Sequence, residues 1–191
     1  MQKYIVTIAL LFSTLCHAQV QFGIKGGVNV SNFTGGDFED VEKKAIVAWH
    51  AGAYLTFNLG SLAIQPEALI STQGAKIDSA NGSSYDWKLT YVNVPVMVLY
   101  RFTGGLYIEA GPQFGFKIDE KIENETINEF INGVDIALAL GAGFKNKKGF
   151  GLGARYAAGV SKVGDFETSS GIDPDFKNGV LQFSVYFPLF Q

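Results

Sequence analysis

The side chains that could do acid–base or nucleophilic chemistry are few and far apart in this 191-residue sequence. There are two histidines, His17 and His50, and one cysteine, Cys16. A catalytic nucleophile needs a base within hydrogen-bonding reach, and no serine or carboxylate lies near His50 in the sequence. We therefore predict no catalytic residue, and we interpret His50 as a hydrogen-bonded structural histidine.

Patterns for binding a ligand are equally weak. Four acidic residues lie close together near the C-terminus: Asp165, Glu167, Asp173 and Asp175. Their spacing does not match a calcium loop, and the glycine-rich stretches GGVNVS and GLGARYAAG precede no predicted helix that would complete a phosphate site. The sequence predicts no metal ion and no cofactor, and its net charge of -3 argues against a nucleic-acid surface.

The first 18 residues have the pattern of an export signal. Lys3 gives a positive start, an apolar run follows from Tyr4 to Leu15, and small residues precede a cleavage site after Ala18. A membrane anchor would need about 20 apolar residues. We predict a signal peptide over residues 1–18 and one mature domain over residues 19–191, which contains no cysteine.

Most of the mature sequence alternates between apolar residues and polar or small ones. Near the C-terminus, Leu181, Phe183 and Val185 alternate with Gln182 and Ser184. A period of two is typical of strands with one apolar face. The pattern predicts eight strands: residues 20–33, 46–58, 62–75, 87–101, 106–118, 133–145, 150–163 and 177–190.

The connections between these strands alternate in length. Three of them, Leu59–Ser61, Thr103–Gly105 and Asn146–Gly149, have the composition of tight hairpin turns, and the other four are long and polar. Eight antiparallel strands with short turns at one end and long loops at the other describe an up-and-down transmembrane β-barrel. We expect the short turns to face the periplasm and the four long loops to face outward.

A soluble eight-stranded barrel, such as a lipocalin, is the alternative architecture. Such a barrel keeps its apolar face inside and its charges outside. Here one face is rich in Val, Leu and Phe, which suit lipid, and the other mixes charged residues with Gly and Ala, which fit a narrow lumen. We favour a barrel in contact with outer-membrane lipid over a soluble periplasmic lipid-binding barrel.

Seven charged residues fall on the face that is predicted to line the lumen. Unpaired charges in a narrow lumen would be costly, so we predict that these residues form a structural polar network. They are Lys25, Glu67, Arg101, Glu109, Lys117, Asp135 and Arg155. The alternative is a narrow transport or ligand-binding barrel, which eight strands disfavour because they leave little open space.

Charge also differs between the two ends of the predicted barrel. Residues 34–45, 76–86, 119–132 and 164–176 form the long connections, and together they contain 15 acidic and 4 basic residues. The rest of the mature chain contains 3 acidic and 10 basic residues. The sequence therefore predicts an acidic outer end, with a basic interior and basic short turns.

Four prolines lie inside predicted strands: Pro66, Pro95, Pro112 and Pro188. A proline cannot donate to a β-ladder, and a closed barrel has no free edge where the missing N–H would be harmless. We expect a bulge or a position near the rim for each, and a distorted patch of wall where three of them lie on neighbouring strands.

Six segments carry a resemblance to a known family. They are FGIKGGVNVSNF from Phe22, IQPEALISTQG from Ile64, TYVNVPVMVLYRF from Thr90, GPQFGF from Gly111, DIALALGAGF from Asp135 and ARYAAGVSKV from Ala154. In this order and spacing they resemble the PorT-like outer-membrane β-barrel proteins of Bacteroidetes across essentially the whole mature chain. The family usually has Glu at the position of Asn93.

The resemblance implies an eight-stranded barrel in the outer membrane, and it settles no activity, because most members of the family have none assigned. From the sequence as a whole we expect a structural or interaction role in the envelope and no enzymatic one. The founding member is associated with protein secretion, so the implied partners are envelope or secretion proteins. The last strand ends with Phe187, Leu189 and Phe190. This ending is similar to the signal that the barrel assembly machinery recognises, which would make that machinery a partner during biogenesis.

Overall fold

The computed structural model describes residues 19–34, 42–78, 84–122, 125–126, 134–161 and 177–190. The predicted signal peptide lies outside the described residues and stays a prediction. The strands are β1 (Gln19–Thr34), β2 (Glu42–Leu59), β3 (Leu62–Asp78), β4 (Ser84–Arg101), β5 (Leu106–Ile122), β6 (Glu125–Thr126), β7 (Val134–Lys145), β8 (Gly151–Gly159) and β9 (Lys177–Phe190). In the described part of the chain, no helix has the length and apolar character needed to cross a membrane.

Eight of these strands close into a barrel, and the two-residue β6 pairs only with the outer end of β5, antiparallel to it. Every neighbouring pair is antiparallel, in the order β1–β2–β3–β4–β5–β7–β8–β9, and β9 pairs with β1 to complete the ring. Because each of the eight strands has a partner on both sides, the sheet has no open edge. The predicted eight-stranded antiparallel barrel is confirmed.

Several strands extend further toward the long loops than the alternation predicts. β2 begins at Glu42 rather than at residue 46, β4 begins at Ser84 rather than at residue 87, and β5 continues to Ile122 rather than to residue 118. The backbone ladder does not depend on an apolar face, so strands can continue where the sequence has become polar on both faces. By contrast, β8 ends at Gly159, before the predicted residue 163.

The two faces of the wall have opposite character. Leu152 and Val185 point outward and are 64% and 56% exposed, whereas Asn29 and Gln182 point into the lumen and are fully buried at 0%. Apolar residues outside and polar residues inside reverse the arrangement of a soluble protein and suit a wall surrounded by lipid. The sequence-based assignment of the two faces is confirmed.

Three of the four prolines lie at gaps in the ladder and not at the predicted bulges. Pro66 stays paired with β4 and interrupts the β2 ladder, Pro95 stays paired with β5 and interrupts the β3 ladder, and Pro112 stays paired with β7 and interrupts the β4 ladder. The register is the same on both sides of each gap, because a proline removes only one N–H donor. Of the four prolines, only Pro188 lies beside a register shift, in the β1–β9 ladder. The shifts in the β2–β3 and β4–β5 ladders lie away from the prolines.

Candidate functional site

Four charged side chains meet at one level of the lumen. Lys25 lies on β1, Glu67 on β3, Glu109 on β5 and Arg155 on β8, and each is at most 4% exposed. They come from alternate strands of the ring, which is how inward side chains form layers in small barrels. We call these four residues the charged layer.

Glu67 is the centre of the charged layer. Its Oε2 accepts hydrogen bonds from Lys25 Nζ at 3.0 Å and from Arg155 Nη1 at 2.9 Å. Its Oε1 accepts from Arg155 Nη2 at 2.7 Å and from Gln65 Nε2 at 2.7 Å. Arg155 Nε also donates to Glu109 Oε1 at 2.7 Å. The two parallel bonds between guanidinium and carboxylate have the geometry of a strong, directional ion pair.

The charged layer fastens opposite walls of the barrel to each other. β3 and β8 are four positions apart in the ring of eight, so the ion pair between Glu67 and Arg155 spans the full width of the lumen. Two cations and two carboxylates give the layer no net charge. Removing any one of the four would leave the buried layer with a net charge, which is destabilising.

An ammonium group lies among three tyrosine rings on the short-turn side of the charged layer. Lys145 Nζ is 4.2 Å from the ring centroid of Tyr186, 4.8 Å from that of Tyr54 and 5.5 Å from that of Tyr107. It also donates a hydrogen bond to Gln65 Oε1 at 2.8 Å. Cations are attracted to the faces of aromatic rings at such distances. We call these three rings and the lysine they surround the lysine cage.

A third level of contacts lies on the long-loop side of the charged layer. His50 Nδ1 is 2.8 Å from Asn29 Oδ1, and His50 Nε2 is 2.9 Å from Ser184 Oγ. Asn29 Nδ2 in turn donates to Ser71 Oγ at 3.0 Å. The histidine has both ring nitrogens engaged, as expected of a structural histidine inside a barrel.

The hydrogen bonds connect Ser184 to His50 and His50 to Asn29. A catalytic triad connects its nucleophile, its base and the group that orients the base in the same order. Two features favour a structural role. The three side chains are at most 5% exposed, which leaves no approach for a substrate. The backbone at Ser184 pairs on one side with Gly27 and on the other with Gly153, so nearby N–H groups are committed to the ladder and do not form an oxyanion hole.

An apolar outer wall around a buried polar lumen is the architecture that sequence comparison also indicates. The family described as outer membrane protein beta-barrel domain matches residues 14–164. The chain belongs to this family. It is therefore an outer-membrane β-barrel, and the alternative of a soluble periplasmic barrel is set aside.

Several solved structures of outer-membrane proteins superimpose on this outer-membrane β-barrel. Neisserial surface protein A (NspA) superimposes with a TM-score of 0.56 at 10% identity, over 88% of this chain and 97% of that one. Ail of Yersinia pestis, solved in complex with the heparin analogue sucrose octasulfate, gives a TM-score of 0.49 at 18% identity over 90% and 99%. OprG of Pseudomonas aeruginosa gives 0.46 at 14% identity over 90% and 97%. No curated protein is significantly similar in sequence.

Asp135 belongs to a separate contact near the long-loop end of this outer-membrane β-barrel. Its Oδ1 accepts a hydrogen bond from Ser161 Oγ at 2.9 Å, and its Oδ2 accepts one from Asn178 Nδ2 at 2.9 Å. The described residues contain no group of three or more potential metal ligands. The acidic cluster from Asp165 to Asp175 lies outside them.

Arg101 and Lys117 also lie away from the charged layer. Arg101 is half-buried at the end of β4 and donates from Nη2 to the backbone oxygen of Gly60 at 2.9 Å. Lys117 is half-buried on the outer part of β5. Because a strand rises about 3.3 Å per residue, residues of one face occupy different levels. The predicted set of seven is thus divided among several levels, with four members in the charged layer.

The four residues of the lysine cage were not among those predicted from the sequence. A usable signal existed, because Lys145 is ten positions after Asp135 on β7 and an even separation puts both on the same face of a strand. Lys145 lies beside a short turn, where a lysine is usually solvent-exposed, so the sequence does not mark it as a lumen residue. The convergence of Tyr54, Tyr107 and Tyr186 depends on how three strands are aligned, which the sequence does not reveal.

Proposed function

We propose that this protein is a closed outer-membrane barrel that serves as a membrane-anchored platform for other envelope proteins and does not conduct solutes. The observation that carries the proposal is the charged layer. Its ion pairs join opposite walls at the middle of the lumen, and its members are at most 4% exposed. A solute-conducting pore needs a continuous aqueous path, which a cross-linked layer interrupts.

The other two levels support the same function. The lysine cage fills the lumen on the short-turn side, and the contacts of His50 fill it on the long-loop side. An eight-stranded barrel is just wide enough for side chains to fill. The parts that remain for function are the two ends, which is where a platform would bind its partners.

A narrow transport or ligand-binding barrel is the second candidate. It is favoured by buried polar atoms that have no hydrogen-bond partner within the described protein, including both amide atoms of Gln182 and Oε1 of Gln113. Such atoms are commonly satisfied by internal water. Water on both sides of the charged layer would shorten the barrier that a small ion has to cross.

We also propose that the barrel is PorT-like and works with secretion proteins. The support is the order and spacing of the six sequence segments described above, and fold analogy alone does not establish a role. A deletion strain is expected to release less protein into the medium, as measured by quantitative proteomics of the culture supernatant. Unchanged release, with the barrel absent, would contradict this role.

A non-enzymatic role is part of the proposal. The serine–histidine–asparagine contact is buried, and the backbone at Ser184 is paired with a neighbouring strand on both sides, which does not favour a backbone oxyanion hole there. We therefore assign His50 to the stability of the lumen and not to catalysis.

Conductance in planar lipid bilayers tests the closed lumen. The wild-type barrel is expected to give no current steps above the bare bilayer. A quadruple variant, Lys25→Ala, Glu67→Ala, Glu109→Ala and Arg155→Ala, removes both cations and both carboxylates of the charged layer together, and it is expected to conduct. The control is Leu152→Ala on the lipid face, which should stay silent. Current steps from the wild type equal to those of the quadruple variant would contradict the proposal.

A further inference from the structure

A large concave opening lies at the short-turn end of the barrel. It has a volume of about 1160 Å³ and is bordered by the N-terminal end of β1 and by all three short turns. Its lining includes Arg101, Lys145 and Lys147. Because the turns encircle it, the opening faces along the barrel axis into the periplasm and not sideways into lipid. We call it the periplasmic mouth.

The charge around the periplasmic mouth is of one sign. The short turns and the strand ends beside them carry Arg101, Lys145, Lys147 and Lys148, and residues 57–63, 99–107 and 143–152 contain no Asp or Glu. All three carboxylates outside the long connections belong to the lumen levels described above. A cleft lined by one sign of charge concentrates ligands of the opposite sign.

Two of these cations are held in place before any ligand arrives. Lys145 Nζ is fixed by the three tyrosine rings and by Gln65 Oε1 at 2.8 Å. Arg101 Nη2 is fixed on the backbone oxygen of Gly60 at 2.9 Å. Groups that are already positioned lose less entropy when a ligand binds. Lys147 is exposed in its turn and adds a cation at the rim.

We propose that the periplasmic mouth binds an extended, acidic peptide segment of a periplasmic protein. This inference rests on the proposed platform function and names the chemistry of one partner. The volume exceeds the range of about 300–1,000 Å³ that is usual for small-molecule pockets, so a single phosphate or carboxylate ion would leave most of it empty. Gln19, Ser61 and Thr103 in the lining offer polar partners for a peptide backbone, and the basic residues bind its carboxylates.

Binding of a fluorescein-labelled hexaglutamate peptide to the purified barrel in detergent micelles, followed by fluorescence anisotropy, tests the proposal. We expect saturable binding that weakens as NaCl rises from about 50 mM to about 500 mM. The variant Lys147→Glu/Lys148→Glu should lower the affinity by about tenfold. These residues lie in an exposed turn, so the barrel should still fold, as checked by its heat-dependent migration on a gel.

The matched control is Lys44→Glu/Lys88→Glu, which makes the same change in charge at exposed positions toward the long loops and should alter the affinity by less than about twofold. Hexaglutamine should not bind. Equal loss of affinity in both double variants, or competition by inorganic phosphate at the same concentration as the glutamate side chains, would overturn the proposal in favour of a general anion effect. If the wild-type barrel gives no current steps and does not bind hexaglutamate, the peptide site is refuted but the platform function is not. Current steps from the wild type would refute the platform function.

Discussion

At the scale of single residues, Glu67 has the most demanding position in the molecule. It is a carboxylate at the middle of a membrane barrel, and it accepts hydrogen bonds from one lysine, one arginine and one glutamine. A buried ion pair adds little to stability relative to apolar packing, but breaking one partner away is costly. The charged layer therefore tolerates removal of all its charges better than removal of one.

Glu67→Ala is expected to lower the free energy of unfolding by about 3 kcal/mol or more, because Lys25 is left buried without its carboxylate and Arg155 keeps only its bond to Glu109. The measurement is urea unfolding in detergent, followed by the folded band on an unheated gel. Arg101→Ala is the control, with an expected loss of no more than about 1 kcal/mol, because this arginine is half-exposed and donates to one backbone oxygen. Equal losses of unfolding free energy in the two variants would contradict the role of Glu67 as the centre of the charged layer.

At the scale of strands, the seam between β1 and β9 closes the barrel, and Gly27 sets how closely the two strands meet. A methyl group at Gly27 would overlap the backbone oxygen of Phe183 on β9 and would lie 3.0 Å from Cε1 of His50. Its neighbour Gly26 faces the other way, and a methyl group there would lie 3.5 Å from the nearest atom, the backbone oxygen of His50. Gly27 therefore has no room for a side chain, whereas Gly26 does.

Gly27→Ala is expected to destabilise the barrel by about 2 kcal/mol or more, because the strand or its neighbour has to shift to relieve the overlap. Gly26→Ala should change stability by less than about 0.5 kcal/mol, since its methyl group meets only ordinary contacts. The two variants can be compared by thermal unfolding, with the fraction of folded band scored on gels. A larger loss of stability in Gly26→Ala than in Gly27→Ala would contradict the packing described for the seam between β1 and β9.

The strands were predictable because a period of two is a local property of the sequence. Leu181, Phe183 and Val185 identify the outer face of β9 without any knowledge of its neighbours. The composition of the charged layer was not predictable in the same way. Whether Glu67 meets Arg155 or Asp135 depends on how far each strand is shifted along the next, and that shift is determined by pairings between distant parts of the chain.

Prolines show the same limit of sequence reasoning. The sequence shows that Pro66 lacks an N–H donor. Whether the ladder accommodates it by a gap or by a bulge depends on the neighbouring strand. A gap in one ladder that preserves the register costs one hydrogen bond, whereas a bulge would shift every later pair. Among the four prolines, three lie at gaps that preserve the register, and only Pro188 lies beside a register shift.

At the scale of the whole molecule, the barrel combines three surfaces with different chemistry. The outer wall is apolar, the lumen combines ion pairs and hydrogen bonds with buried tyrosines and leucines, and the described short-turn end carries cations but no Asp or Glu. Family membership and fold place the wall in the outer membrane. The closed lumen and the periplasmic mouth both depend on which face of the wall meets lipid.

The most direct test is solution NMR of the wild-type barrel in lipid nanodiscs, with methyl-labelled leucine, to measure contacts between leucine methyl groups and lipid acyl chains. Three outward leucines that are 52–64% exposed serve as the first group: Leu138, Leu140 and Leu152. Three inward leucines that are 1% exposed serve as the second group: Leu69, Leu89 and Leu99. The account predicts acyl-chain contacts for the first group and none for the second. Acyl-chain contacts from the second group, with water contacts from the first, would contradict it.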